Sequence, residues 1–312
     1  MSLLASTEEL QQGVLRGDPR SIARAATLIE SQSDAGREIV AALFSKTGRA
    51  MMLGITGPPG AGKSTLVNQL AKALRSDGQS VGIIAVDPSS PFSRGAILGD
   101  RIRMQDHHAD PGVFIRSMAS RGRLGGVAQM TLELALLLDA AGRDVILIET
   151  VGAGQDEVEI ARLADITVLV LVPGWGDDVQ AIKAGIMEIA DIFAINKADL
   201  PGADRLEQEI RTMQSLAGEA GRANAAPVRR VIATEGHGLQ ELLDVIRSVF
   251  ETKGRRSART DTWSVRLREM LREALLRRIP ENLIEQHAKR VAEKIEDPYT
   301  AVACLMSLRN EH

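Results

Sequence analysis

Cysteine, histidine, charge imbalance and long apolar runs are all scarce in this chain, and each shortage excludes something. Among 312 residues there is one cysteine, there are five histidines, and 38 basic side chains stand against 41 acidic ones for a net charge of −3. A lone thiol, Cys304, cannot close an intrachain disulfide, which suits a reducing cytoplasm. Set among apolar residues in an expected helix, Cys304 reads as a small buried hydrophobe rather than a reactive thiol. Near-neutral charge supplies neither a basic field for nucleic acid nor an acidic tail. The longest apolar run, near 166–173, is far too short to cross a bilayer, and "MSLLASTEELQQGVLRGD" has no positive segment ahead of an apolar one. A cytoplasmic protein with no nucleic-acid or membrane partner is therefore expected. His107 and His108 are adjacent and would point about 100° apart on a helix, with no cysteine near, so a metal site is not expected there.

What is present is an ordinary globular composition, 44% hydrophobic and 25% charged, in a chain long enough for one large α/β core with extensions. Residues 1–49 read as a helical extension. In "GDPRSIARAATLIES", Asp18 is placed to cap a helix, Pro19 to open it, and Ile22, Ala25, Ala26 and Ile29 fall on one face. Between 50 and 252 short apolar runs recur: "MMLGITG", "SVGIIAVD", "VFIRSM", "DVILIET", "ITVLVLVP", "DIFAINKAD" and "VRRVIAT". They are continuous rather than alternating, and helical stretches separate most of them. That pattern predicts a mostly parallel sheet covered on both faces, an α/β domain. From 253 to 312 a basic linker, "KGRRSART", leads into further helices with stripes of Leu267, Met270, Leu271, Ala274 and Leu275, then Leu283, Ile284, Ala288, Val291 and Ile295. The terminal helices read either as packing on their own domain or as an arm for a second subunit.

"GPPGAGKS" follows the first run and opens a helix, the context a P-loop requires. Gly57, Pro58, Pro59, Gly60, Ala61 and Gly62 would wrap backbone N–H groups around phosphate, with the helix N-terminus adding positive potential. Lys63 is expected to reach the β- and γ-phosphates, Ser64 to offer its hydroxyl to Mg²⁺, and Thr65 completes the set. "NKAD" at the end of a later run selects the base. A carboxylate at Asp199 matches the paired N1–H and 2-amino donors of guanine, whereas adenine presents an acceptor there. Asn196 is suited to the O6/N7 edge, the Lys197 stem to the ring face, and Ala233 in "VRRVIAT" is counted with them. GTP is expected over ATP.

In "DVILIETVGAG" an apolar strand ends in Glu149, the place for an acid that holds Mg²⁺ directly or through water, and Gly152 can offer its N–H to the γ-phosphate. Ala153 stands where Ras-type GTPases have glutamine, so slow hydrolysis by the isolated protein is expected. Asp87 reads as a metal or water-orienting acid or as a turn residue before Pro88; Asp100 reads likewise or as a helix cap. Arginines 94, 101, 103, 116, 121 and 123 crowd the same region, as solvated or partner-facing side chains with one as a transition-state candidate.

Taken in order, "GPPGAGKST", "VDPSSPFSRGAILGDRIRM", "SRGRLGGVA", "ILIETVGAGQDEVEIA", "GDDVQAIKAGIMEIAD" and "NKAD" resemble the methylmalonyl-CoA mutase-associated GTPases of the MeaB/ArgK type. The resemblance runs from about residue 14 to about 305. It implies a homodimeric GTPase chaperone that gates adenosylcobalamin delivery to an acyl-CoA mutase, protects that enzyme, and hydrolyses GTP faster with its client. It also implies that "VPGWGDDVQAIKAG", 172–185, is a switch read by the client, with Asp177, Asp178, Gln180 and Lys183 as its polar positions and Gly174, Gly176 and Gly185 giving it freedom to reorder. Trp175 departs from the family's small-residue run and reads as a client contact or as a ring tucked on its own domain. The alternative, a metallochaperone GTPase, needs a Cys/His cluster that one cysteine and five scattered histidines do not supply.

Overall fold

The computed structural model describes residues 6–87, 110–119, 126–150, 163–174, 190–218, 225–255, 260–276 and 278–307. The chain divides into two compact units, Met1–Ala258 and Arg259–His312.

Each of the seven apolar runs contributes a strand to the first unit: β1 Met51–Thr56, β2 Val81–Asp87, β3 Val113–Ala119, β4 Val145–Thr150, β5 Ile166–Leu171, β6 Ile192–Ile195 and β7 Val228–Arg230. They form one sheet in the order β3-β2-β4-β1-β5-β6-β7, parallel at every pairing. The chain grows outward from β1 to β2 and β3, returns to β4, then crosses to β5 on the far side of β1. The direction of growth thus reverses beside β1, and ligands of such sheets bind beyond the strand C-termini at that point.

Side chains alternate between two apolar layers. Leu53, Ile55, Val145 and Leu147 face one layer with helix α4, Lys63–Ser76, through Leu66, Val67, Leu70 and Leu74. The last helix of the unit, Leu239–Lys253, adds Leu242, Leu243 and Ile246 to it. Met52, Ile146 and Ile148 face the other layer. There α1 (Thr7–Leu15), α2 (Pro19–Glu30), α3 (Asp34–Leu43) and α5 (Gly126–Ala140) cover the sheet. Helix α2 has the cap and face read from its sequence: Asp18 accepts from the Ser21 amide, Pro19 opens the helix, and Ile22, Ala25, Ala26 and Ile29 are buried. A helix at Ala203–Gly218, α6, packs Ala203, Leu206 and Ile210 against Leu169, Leu171 and Phe193, and Leu239–Lys253 becomes α7.

Three buried aspartates fasten strand beginnings. Asp139 at the end of α5 accepts from the amides of Gly48, Arg49 and Ala50 just ahead of β1. Asp165 accepts from Met52 and Asp191 from Thr167. Arg116, mid-strand on β3, grips Glu30 of α2 through two bonds of 2.6 Å. That hydrogen-bonded carboxylate raises the Arg116 pKa further, against the opposing effect of burial. Arg116 is therefore spent on fastening α2 to the sheet edge; the other crowded arginines lie outside the described residues.

The second unit contains α8 (Thr260–Leu276), α9 (Glu281–Ala292) and α10 (Pro298–Ser307). Asp297 caps α10 by accepting from the amides of Tyr299 and Thr300. The burial expected for Cys304 is corrected: the thiol is exposed. Only Ala301 of the ten-residue α10 is buried, so Val302, Cys304 and Met306 share its uncovered sides. Leu267, Met270 and Leu271 of α8 are likewise exposed in the single chain. Among the described residues no helix is long and apolar enough to cross a membrane.

Candidate nucleotide site

At the C-terminal end of β1 the chain turns at Gly57 into the phosphate loop. Gly57 has φ +144°, and a Cβ there would lie 2.2 Å from the Val170 carbonyl of β5, so no larger residue passes this crossing without displacement. Gly62, φ +86°, precedes the first residue of α4 and provides no side-chain cap. The first amides of α4 therefore lack the side-chain acceptor that most helix starts carry, the condition under which a helix N-terminus takes an anion. Lys63 is buried and folds back, its Nζ donating to the carbonyls of Gly57 at 2.5 Å and Pro58 at 3.0 Å.

Beside the loop, Ser64 donates its hydroxyl to Glu149 Oε1 at 2.5 Å. Glu149 is 1% exposed and stands on β4 in register with Ile55 of β1. A hydroxyl and a carboxylate oxygen held together at a strand end are hard oxygen donors of the kind Mg²⁺ takes. Of the other acids considered, Asp87 ends β2 in the strand next to β4. Its side chain and all of Asp100 lie outside the described residues, as do Gly152, Ala153, Trp175, Asp177, Asp178, Gln180 and Lys183.

Two residues of the "NKAD" segment, Asn196 and Lys197, stand against the loop. Asn196, buried at the end of β6, donates from Nδ2 to the Ala61 carbonyl at 2.8 Å and accepts at Oδ1 from the Ala233 amide at 3.1 Å. This clasp was not legible in the sequence: it joins the phosphate loop, the end of β6 and the segment after β7 through one amide. It also explains Gly62, where a Cβ would meet Asn196 Nδ2 at 2.3 Å. One Nδ2 hydrogen is left for a ligand acceptor, while Oδ1 is engaged by Ala233. Lys197 sits at φ +54°, an uncommon backbone for a lysine, and donates from Nζ to the Gly60 carbonyl at 3.1 Å. Asp199 is exposed at the same end of the sheet. The structure thus gathers Gly57–Thr65, Glu149, Asn196, Lys197, Asp199 and Ala233 at the C-terminal ends of β1, β4, β6 and β7.

Residues 22–284 match the family model described as methylmalonyl Co-A mutase-associated GTPase MeaB. The chain belongs to the MeaB family. Among curated relatives, a protein of Pyrococcus abyssi with a GTPase name is 46% identical over 309 residues, covering 96% of this chain and 95% of the relative. GTPase ArgK of Escherichia coli is 43% identical over 199 residues, covering 62% of this chain and 60% of its own. The methylmalonic aciduria type A homolog of Mus musculus, named as mitochondrial, is 36% identical over 257 residues, 77% and 62% of the two chains. The crystal structure of an LAO/AO transport system kinase matches with TM-score 0.71 and 28% identity, covering 100% of both chains. The molecule is a P-loop GTPase of the MeaB/ArgK type.

Proposed function

We propose that this GTPase is a cytoplasmic, homodimeric chaperone that gates adenosylcobalamin loading and protection of a cobalamin-dependent acyl-CoA mutase, methylmalonyl-CoA mutase or a close relative. The observation that carries the reading is the match of residues 22–284 to a family described by its association with methylmalonyl-CoA mutase. The murine relative's name adds support from a second direction. The exposed Leu267, Met270 and Leu271 of α8 support a second copy as the cover for that helix.

In the bound state the amides of Gly57–Thr65 and the start of α4 hold the phosphates. Lys63 leaves the carbonyls of Gly57 and Pro58 for the β- and γ-phosphate oxygens, a short swing of a side chain already in the loop. Ser64 and Glu149 would hold Mg²⁺, with Asp87 and Asp100 as the remaining acids for metal or water; when bound, the ion would supply positive charge against the phosphates. The spare Nδ2 hydrogen of Asn196 faces N7 of guanine, the Lys197 stem lies on the ring, and Asp199 accepts from N1–H and the 2-amino group. Gly152 donates to the γ-phosphate. With Ala153 beside it rather than a glutamine, turnover by the isolated protein is slow, and Asp177, Asp178, Gln180 and Lys183 transmit the client's stimulation.

Size-exclusion chromatography of the protein with an adenosylcobalamin-dependent acyl-CoA mutase tests the partnership. Co-elution that changes between GDP and a non-hydrolysable GTP analogue is expected. Separate elution in every nucleotide state contradicts it.

A further inference from the structure

Two hydroxyls lie where the sheet's layers are otherwise apolar. Thr56 and Thr150, 1% and 2% exposed, are the last residues of β1 and β4, and Thr150 Oγ1 donates to Thr56 Oγ1 at 3.1 Å. Strand alternation puts both on the face of Met52, Ile146 and Ile148, under the N-terminal helices and α5. The P-loop helix α4 lies on the opposite face. On that opposite face, one residue back on each strand, Ile55 and Glu149 are register partners. The hydroxyl pair thus joins the two strands one residue beyond the last register pair of the β1–β4 ladder, Ile55 with Glu149.

Packing gives no reason for it. Valine has the same shape, favours strands as much, and would bury no polar atom beside Val86 and Ile148. Replacing both partners of a buried hydrogen bond by apolar groups of the same shape is often neutral for stability. What the pair does uniquely is join two chain ends with chemistry on them. After Thr56 comes Gly57, whose carbonyl receives Lys63. Immediately before Thr150 comes Glu149, which receives Ser64. β4 has a second neighbour in β2, where Val86 is the register partner of Thr150, yet the Thr150 hydroxyl is turned to β1.

We infer that Thr56 and Thr150 are positioning residues for GTP hydrolysis: their hydrogen bond holds the end of β4, and with it Glu149, against the phosphate loop. This rests on the reading of Ser64 and Glu149 as the metal-holding pair. GDP, which needs chiefly the loop and the base-selecting residues, is bound without it; the hydrolytic step, which needs Glu149 placed against the loop, is not performed at full rate.

The test is steady-state GTP turnover, GDP affinity and thermal unfolding of the parent, Thr56→Val, Thr150→Val, the double valine variant and Thr150→Ser. The double variant is expected to unfold no more readily than the parent and to bind GDP within about twofold, with kcat roughly tenfold lower and KM little changed. Thr150→Ser, which keeps the hydroxyl, is expected to stay near the parent rate. Each single valine variant should fall to the kcat of the double variant, since either removes the one bond. If the double variant does not fold, Thr56→Val decides by itself, because it reaches the same bond from the other strand. A double variant, or in its absence Thr56→Val, that turns over GTP at the parent rate overturns the inference, as does a serine variant as slow as the valine one. Parent turnover indifferent to Mg²⁺ defeats the metal reading beneath it, a result visible before any variant is made.

Discussion

Ser64, on the first turn of α4, and Glu149, on β4, are joined by a 2.5 Å hydrogen bond across 85 residues of sequence. The bond places a hydroxyl and a buried carboxylate at one point on the phosphate side of the sheet. Glu149→Gln keeps the shape and a hydrogen-bonding group but removes the charge a divalent ion needs. The Mg²⁺ concentration for half-maximal GTP turnover is expected to rise roughly 10–100-fold, the range found when groups supporting a metal are altered. Titration of turnover with Mg²⁺ measures it, and an unchanged requirement would remove Glu149 from the metal site.

Asn196 makes a structural claim that is separable from base recognition. Its side chain satisfies the Ala61 carbonyl and the Ala233 amide, both inside the protein. Asn196→Ala leaves those two groups without partners, which is expected to cost about 2–4 kcal/mol of stability even with no nucleotide present. Urea unfolding of the nucleotide-free protein gives the number. A midpoint equal to that of the parent would show the clasp to be unnecessary for the fold.

Asp199 is expected to behave in the opposite way. Its side chain is exposed, so Asp199→Ala should change the stability of the nucleotide-free protein by no more than about 0.5 kcal/mol. GDP affinity should fall roughly 10–100-fold, the value of a good paired base contact. Calorimetric titration with GDP and ADP checks both halves. A parent protein that binds the two nucleotides equally would refute guanine selection by this residue.

Gly57 and Gly78 both have positive φ, but only Gly57 has a neighbour in the way. A Cβ at Gly57 meets the Val170 carbonyl at 2.2 Å, whereas one at Gly78 meets nothing within 4 Å. Gly78→Ala should cost about 1–2 kcal/mol from backbone strain alone. Gly57→Ala adds an overlap with a fixed strand and should cost about 3–5 kcal/mol. Thermal unfolding of the two variants orders them, and equal melting temperatures would count against the crossing at Val170 as a constraint.

Features carried by local pattern were legible in the sequence, and features carried by distant contacts were not. Seven continuous apolar runs became seven strands because a parallel sheet buries both faces and needs no alternation. The Asp18 cap and the buried face of α2 follow from spacing within one helix. The phosphate loop is a local sequence with a local shape. Strand order is different, since nothing within "DVILIET" says that it lies between β2 and β1. Asn196 carried a chemical expectation toward a base, but its partners at Ala61 and Ala233 are backbone atoms, which every residue has and no motif marks. Nothing in the sequence around Asp139 marks it, because its three partners are backbone amides about 90 residues away, just ahead of β1. Cys304 went astray because burial was inferred from apolar neighbours in sequence, and of those Val302 and Met306 are themselves exposed.

The central claim is a GTPase whose rate a mutase controls, and one measurement addresses it: GTP turnover by the pure protein, alone and with an adenosylcobalamin-dependent acyl-CoA mutase, for the parent and Lys183→Ala. Slow turnover alone, strong stimulation by the mutase, and loss of that stimulation in Lys183→Ala with basal turnover kept are the expected results. Turnover that the mutase leaves unchanged would contradict the chaperone reading and leave a GTPase acting on some other partner.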